Sequence, residues 1–200
     1  MSPDLTLVNI SLARFSQAPI TQGQLTANVI PSAVAANMFW QTCLDEVYAS
    51  SQWSFATVTL ALSSLGEDST GEWGYIYSRP TLSVGAVYNV FNSGTVEYKE
   101  EQEFEVKHIV TLGVSAIYSD LEDAIGEYVY QVTDTTKWSP SFKTALSYRL
   151  ASDLVMAIAG DAQKSIGFMN MYLGMTGEAK RLDTEKRKVV DEKSRYRESR

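Results

Sequence analysis

Two carboxylate clusters are the first residues in this chain with the chemistry of a hydrolase. Glu97, Glu100, Glu101, Glu103 and Glu105 form one, and Asp120, Glu122, Asp123 and Glu127 the other. A glycosidase needs two such groups flanking one bond, with one of them shifted in pKa by burial. Residues 97–107 instead interleave Tyr98, Gln102, Phe104 and Val106 with Glu and Lys, the pattern of a strand with a solvated acidic face. His108, the only histidine, would have to serve any general base and reads as a structural residue. Cys43, the only cysteine, sits among apolar neighbours as a small buried hydrophobe and leaves no partner for an internal disulfide. Glu67, Asp68 and Glu72 share a loop with Gly66, Gly71 and Gly74, but their spacing matches no calcium loop. No G-x-S-x-G, P-loop, G-x-G-x-x-G or H-E-x-x-H string is present. Trp73, Tyr75 and Tyr77 can stack sugars, which would make a carbohydrate-binding module, although alternating aromatics more often face a core or a neighbouring subunit. The expectation is a protein that binds and does not catalyse, with no metal and no cofactor.

The elements that must position these residues fall into an α+β order. Asp4–Phe15 reads as a short helix with Leu5, Val8, Leu12 and Phe15 on one side, stopped by Pro19. Thr21–Asn28 reads as a polar loop. A longer helix runs from Ile30-Pro31-Ser32 to about Ser51, with Val34, Met38, Leu44, Val47 and Tyr48 at helical spacing. Residues 55–118 alternate as a small, mainly antiparallel sheet, with one row at Val58, Leu60 and Leu62 and another at Val84, Ala86, Tyr88 and Val90. Helical spacing returns at Leu121, Ala124, Ile125, Tyr128 and Val129. The clearest helix is Trp138–Asp161. Ser139 caps it, Pro140 takes the first position, and Phe142, Leu146, Leu150, Leu154 and Ile158 recur every fourth residue before Gly160. Arg149 lies in that apolar face and must snorkel out or find a carboxylate. A last helix begins near Asp161 with Ile166, Met169, Tyr172 and Leu173, weakened by Gly167, Gly174 and Gly177. The expected divisions are helices over 1–54, an inserted sheet domain over 55–118, helices over 119–177 that complete a bundle with the first, and a charged tail over 178–200.

Net charge is −7, unevenly spread. Residues 178–200 carry nine Lys/Arg against six Asp/Glu, leaving eight against eighteen before them. So acidic a body repels phosphate backbones, yet would make a non-sticking wall for DNA passing by. The tail has few apolar residues and interspersed acids, which favour order on a protein partner. No apolar run reaches the ~18 residues of a membrane span, and Met1-Ser2-Pro3-Asp4 does not open a secretory signal.

Three stretches then carry a resemblance. Leu7–Ile20 reads L-V-N-I-S-L-A-R-F-S-Q-A-P-I, Ser50–Ala56 reads S-S-Q-W-S-F-A, and Tyr128–Asp161 contains Y-V-Y, W-S-P-S-F, A-L-S-Y-R-L-A and G-D. In this order they resemble the head-to-tail adaptor (connector) proteins of tailed bacteriophages, the group that includes the tail tubular protein A of short-tailed phages. Those proteins commonly open with N-x-x-L-x-x-L-G-x-x-P-I and carry W-x-F-A before a strand. Phe15-Ser16 here replaces the usual L-G, and Leu62–Gly66 lengthens the loop into the sheet. The resemblance implies a virion protein of the head–tail junction, synthesised in the host cytoplasm. It would form a twelve-copy homo-oligomeric ring beneath the portal protein, extend the channel through which DNA leaves and dock the tail nozzle or tube. It would place the tail residues Arg181, Lys186, Arg187, Val189, Val190 and Tyr196 on the portal. The loop with Glu67, Asp68, Glu72 and Trp73 would face the tail or a neighbouring subunit. A host-recognition module built on the aromatic sheet is the alternative, and an enzyme dependent on His108 the third.

Overall fold

The structure, a computed structural model, describes residues 1–81, 83–92, 102–110 and 112–178. The chain is mixed α and β, with small antiparallel sheets, and divides into two compact units. One comprises Met1–Phe55 and the chain from Val132 onward; the other is Ala56–Gln131.

In the helical unit, α1 (Leu5–Ala13) starts where Asp4 Oδ1 accepts the Leu7 N–H at 3.0 Å. Ser16, at φ 61, turns the chain out of it. The Asn9 side chain then fixes the returning segment, donating to Ile20 O at 3.0 Å and accepting from Ile20 N at 2.8 Å. Residues 22–27, expected as loop, form α2 (Gln22–Ala27). Thr21 and Gln24 make a reciprocal capping box, and Asn28 ends the helix at φ 54. Six residues are too few to show a period, so the T-x-x-Q cap was the only available signal.

The helix α3 (Pro31–Ser50) buries Ala33, Ala36, Trp40, Leu44, Val47 and Tyr48, whereas Met38, expected on that face, is exposed. Helix α4 (Pro140–Ala159) has the start and stop expected of it. Ser139 accepts the Phe142 N–H at 3.2 Å, and Gly160 takes φ 64. Phe142, Leu146, Leu150 and Leu154 are fully buried. The core side then continues through Val155, with Ala157 exposed and Ile158 half-buried. Helix α4 packs on α3 and α1, and α2 on α3. A further helix, α5, is described over 162–178 and buries Tyr172 and Thr176.

Where the chain leaves and re-enters this unit, five aromatic rings gather. Phe142 lies 4.7–5.1 Å, centroid to centroid, from Tyr48, Trp53, Phe55 and Trp138. The polar edges are satisfied: Trp53 Nε1 donates to Val47 O at 2.7 Å, and Tyr48 Oη and Trp138 Nε1 both donate to Val132 O.

The second unit holds two antiparallel sheets where one was expected. Strands β1 (Thr57–Ala61), β7 (Ala124–Tyr130) and β4 (Ser83–Asn92) form the first in that order. The second runs β2 (Ser63–Glu67), β3 (Tyr75–Ser78), β6 (Val114–Ser119), β5 (Phe104–Ile109). The chain passes from one to the other at Leu62, whose N–H donates to Ala124 O at 2.9 Å. Leu62, Tyr77, Val87, Val90, Ile117, Ala124 and Tyr128, drawn from both sheets and the Leu62 switch between them, make one core. Bulges near Val87 and Asn89 interrupt the alternation expected over 84–90, so Val87 and Val90 are buried together. Leu60, expected in the inner row, is 55% exposed.

The helix expected over 121–129 is the strand β7. It lies between β1 and β4, buried at Ala124, Gly126 and Tyr128 and half-buried at Ile125 and Glu127, and the apolar Ile125 and Val129 on its second face give the sequence a helical spacing. Gly126 in its middle is explained by packing, since a Cβ there would lie 2.7 Å from Leu62 Cδ2. The sheet-bearing unit therefore ends at Gln131 and not at 118, and 119–131 do not belong to the helices.

Candidate interaction surfaces

The acidic loop that joins β2 to β3 is held by its own side chains. Asp68 Oδ1 accepts the Thr70 N–H at 3.0 Å, and Oδ2 accepts the Thr70 hydroxyl at 2.6 Å and the Trp73 N–H at 3.2 Å. The Thr70 hydroxyl and amide hold the Asp68 carboxyl below its ordinary pKa. Gly74 N–H donates to Asp120 Oδ1 at 2.8 Å, so one carboxylate of the second cluster serves as a loop anchor. Glu72 reaches Lys107 at 2.9 Å, and Lys107 also pairs with Glu105 at 2.8 Å while lying 5.2 Å from the Tyr118 ring centroid. The two carboxylates raise the Lys107 pKa. Trp73 is half-buried, with its indole N–H buried and without a hydrogen-bond partner among the described residues. Glu67 alone of the four predicted residues projects freely into solvent from β2.

The other sequence candidates scatter. Tyr77 is 2% exposed, and its hydroxyl donates to Leu121 O at 2.5 Å, so Trp73, Tyr75 and Tyr77 do not form one stacking platform. His108 is exposed on β5 opposite Ser115. Glu127 accepts from Asn89 at 2.9 Å. Glu122 and Asp123 are exposed beside Tyr75, and with Glu67 they raise its phenol pKa, Glu122 most. Glu97, Glu100 and Glu101 lie outside the described residues, as do Arg181, Lys186, Arg187, Val189, Val190 and Tyr196 of the tail. Among the described residues no three His, Cys, Asp or Glu side chains are grouped to hold a metal, and no helix is long and apolar enough to cross a membrane.

Two features of the helical unit escaped the sequence. The first is interior. Arg149 found its carboxylates: Nε bonds Glu46 Oε2, Nη2 bonds Glu46 Oε1 at 3.2 Å and Nη1 bonds Asp153 Oδ2 at 2.8 Å. Cys43 Sγ donates to the same Asp153 at 3.4 Å, and burial pushes its thiol pKa up. The sequence left Arg149's carboxylate unnamed: Asp153 stands four residues on in α4, a helical spacing that could have supplied it, whereas Glu46 lies on another helix and no local pattern reveals it. The second is a surface groove. Arg14 of the α1 C-cap lies 3.5 Å over the Tyr148 ring and donates to Ser147 Oγ from Nε at 3.1 Å and Nη2 at 2.6 Å. Two cavities of ≈ 280 and ≈ 410 Å³ share this arginine. Lys143 lines the first, and Lys164, Phe168 and Met171 the second.

Compared with known proteins, the chain matches no protein-family model and has no significant match among curated proteins.

Proposed function

We propose that this protein is a head-to-tail adaptor of a tailed bacteriophage, a virion component that assembles as a ring beneath the portal protein. The ring extends the DNA channel and gives the tail nozzle or tube its docking surface. Its work is binding, with DNA passing through and no base read. Helices from both ends of the chain would form one bundle as the ring's body, with the β unit inserted into it. The tail from Glu178 would grip the portal, in a heterologous ring of twelve copies.

Support comes from where the resembling stretches fall. The W-S-F-A and W-S-P-S-F strings, over eighty residues apart, supply four of the cluster's five rings, Phe142 among them. This meeting carries the proposal, because it gives both strings one shared packing job at the point where the β unit is inserted. The opening stretch has a matching role, since Asn9 and Ile20, which fall at the first and last positions of the N-x-x-L-x-x-L-G-x-x-P-I pattern, bond each other through the Asn9 side chain and the Ile20 backbone. A charged tail and an acidic body suit a ring subunit whose surfaces are contacts and a channel.

The test is electron microscopy of this protein mixed with the portal protein of the same phage, beside each alone. A new ring stacked on the portal, whose rotational symmetry gives the copy number, is the expected result. Absence of added density would refute the adaptor role, and undiminished portal binding after deletion of 178–200 would refute the tail's part in it.

A further inference from the structure

The division into units exposes a charge asymmetry that the chain as a whole conceals. Ala56–Gln131 holds twelve Asp/Glu against three Lys/Arg, whereas 1–55 and 132–177 together hold six against five. Nearly all the acidity of the body belongs to the β unit. In the helical unit, Arg149 is taken up internally by Glu46 and Asp153. The cations that remain around the groove are Arg14, Lys143 and Lys164.

Arg14 and Lys143 have no carboxylate partner among the described residues; Arg14 spends its contacts on Ser147 and the Tyr148 ring. Lys164 pairs only with Asp161, at 3.0 Å, in an exposed i,i+3 contact of little strength. Asp4, the one acid on the groove wall among the described residues, has both oxygens engaged, by the Leu7 N–H and the Thr135 hydroxyl. Ile10 and Met171, 42% and 58% exposed, line the same cavities as these cations. The groove thus offers positive groups without a strong carboxylate partner beside apolar surface. The β unit offers the complement. Glu67, Glu122 and Asp123 are exposed and have no cation partner among the described residues; Glu67 stands opposite Tyr75 on the neighbouring strand, and Glu122 and Asp123 follow Ser119, which pairs with Tyr75 on its other side.

We infer that the groove around Arg14 and Lys143 is the seat for the Glu67, Glu122 and Asp123 edge of the β unit of a second copy of this chain. Because groove and edge are different surfaces, the contact is heterologous and passes from copy to copy without using either surface twice. It rests on the adaptor reading in one respect only: a ring supplies the neighbour.

The test uses the full-length protein in light scattering and sedimentation at low and high salt. The wild type should self-associate at low salt and come apart as salt screens the contact. Lys143→Glu with Arg14→Gln, and separately Glu67→Lys with Glu122→Lys and Asp123→Lys, should each weaken association by about tenfold or more while leaving the far-ultraviolet circular dichroism unchanged. Mixing the two variants should yield a dimer and nothing larger, since one intact groove and one intact edge remain. A wild type that stays monomeric at low salt, or variants that associate as it does, would overturn the inference. So would groove binding of a polyglutamate peptide without self-association. Equal rings on the portal from the Lys143→Glu/Arg14→Gln variant and the wild type would overturn it and leave the adaptor role standing. Groove-dependent self-association with no portal density would do the reverse.

Discussion

Arg149 and Cys43 define how the interior of the helical unit tolerates charge. Arg149 is buried, and its two carboxylates retain part of their hydration, with Asp153 25% and Glu46 45% exposed at the side chain. Arg149→Ala removes the counter-charge of two partly hydrated carboxylates together with the hydrogen bonds of a buried guanidinium, and is expected to cost about 1–3 kcal/mol, measured by urea denaturation. Arg149→Met combined with Glu46→Gln and Asp153→Asn should recover most of that loss, because no unpaired charge remains. The same interior sets a pH limit. Burial lifts the Cys43 thiol above its ordinary 9.0 and pushes the Tyr48 phenol up to about 12 from 10.0. Both stay protonated in the folded chain at a pH where the unfolded chain ionises. Their contribution is therefore full below about pH 9 and is lost as pH rises beyond it. Unfolding midpoints measured from about pH 8 to 11 should fall from the thiol range upward, and Cys43→Ala should delay that fall to the phenol range near 10.

At the scale of elements, β7 shows how one glycine fits two sheets together. Gly126→Ala places a methyl against Leu62 and should cost about 1–3 kcal/mol. Leu62→Ala opens the space that methyl needs, so the double variant should be more stable than the two single losses predict, as a double-mutant cycle will read. The same strand marks the limit of what the sequence discloses. Helix α4 was readable from end to end because Ser139, Pro140 and Gly160 announce its ends and its apolar positions keep one period. Strand β7 was not, since apolar Ile125 and Val129 stand on its half-buried face beside Ala124 and Tyr128 on the buried one and blur the period of two. The Asp68 loop was visible as an acidic glycine-rich segment, but its Thr70 and Asp120 anchors were not: the first is a turn geometry and the second lies far along the chain. The groove was invisible for the same reason, being assembled from α1, α4 and α5.

For the whole molecule, the inserted unit begins and ends at touching strands. Ala56 O accepts the Tyr130 N–H at 2.8 Å, and β1 pairs with β7 along its length. A chain in which a short glycine–serine linker replaces 56–131 should therefore keep its helical circular dichroism and a single cooperative thermal transition. A gradual, non-cooperative loss of signal would show that the helical unit depends on its insert.

That pairing also sets an order of events. Helix α4 must find α1 and α3 after the entire β unit has been synthesised between them, and closing so long a loop costs roughly 4 kcal/mol in chain entropy. Once β1 and β7 zip together, Ala56 and Tyr130 at the ends of the insert stand about one strand spacing apart, roughly 5 Å, and nearly all of that cost has already been met. The β unit is then a timer for its host: whatever slows the joining of β1 to β7 delays the moment at which the two halves of the helical unit can first meet.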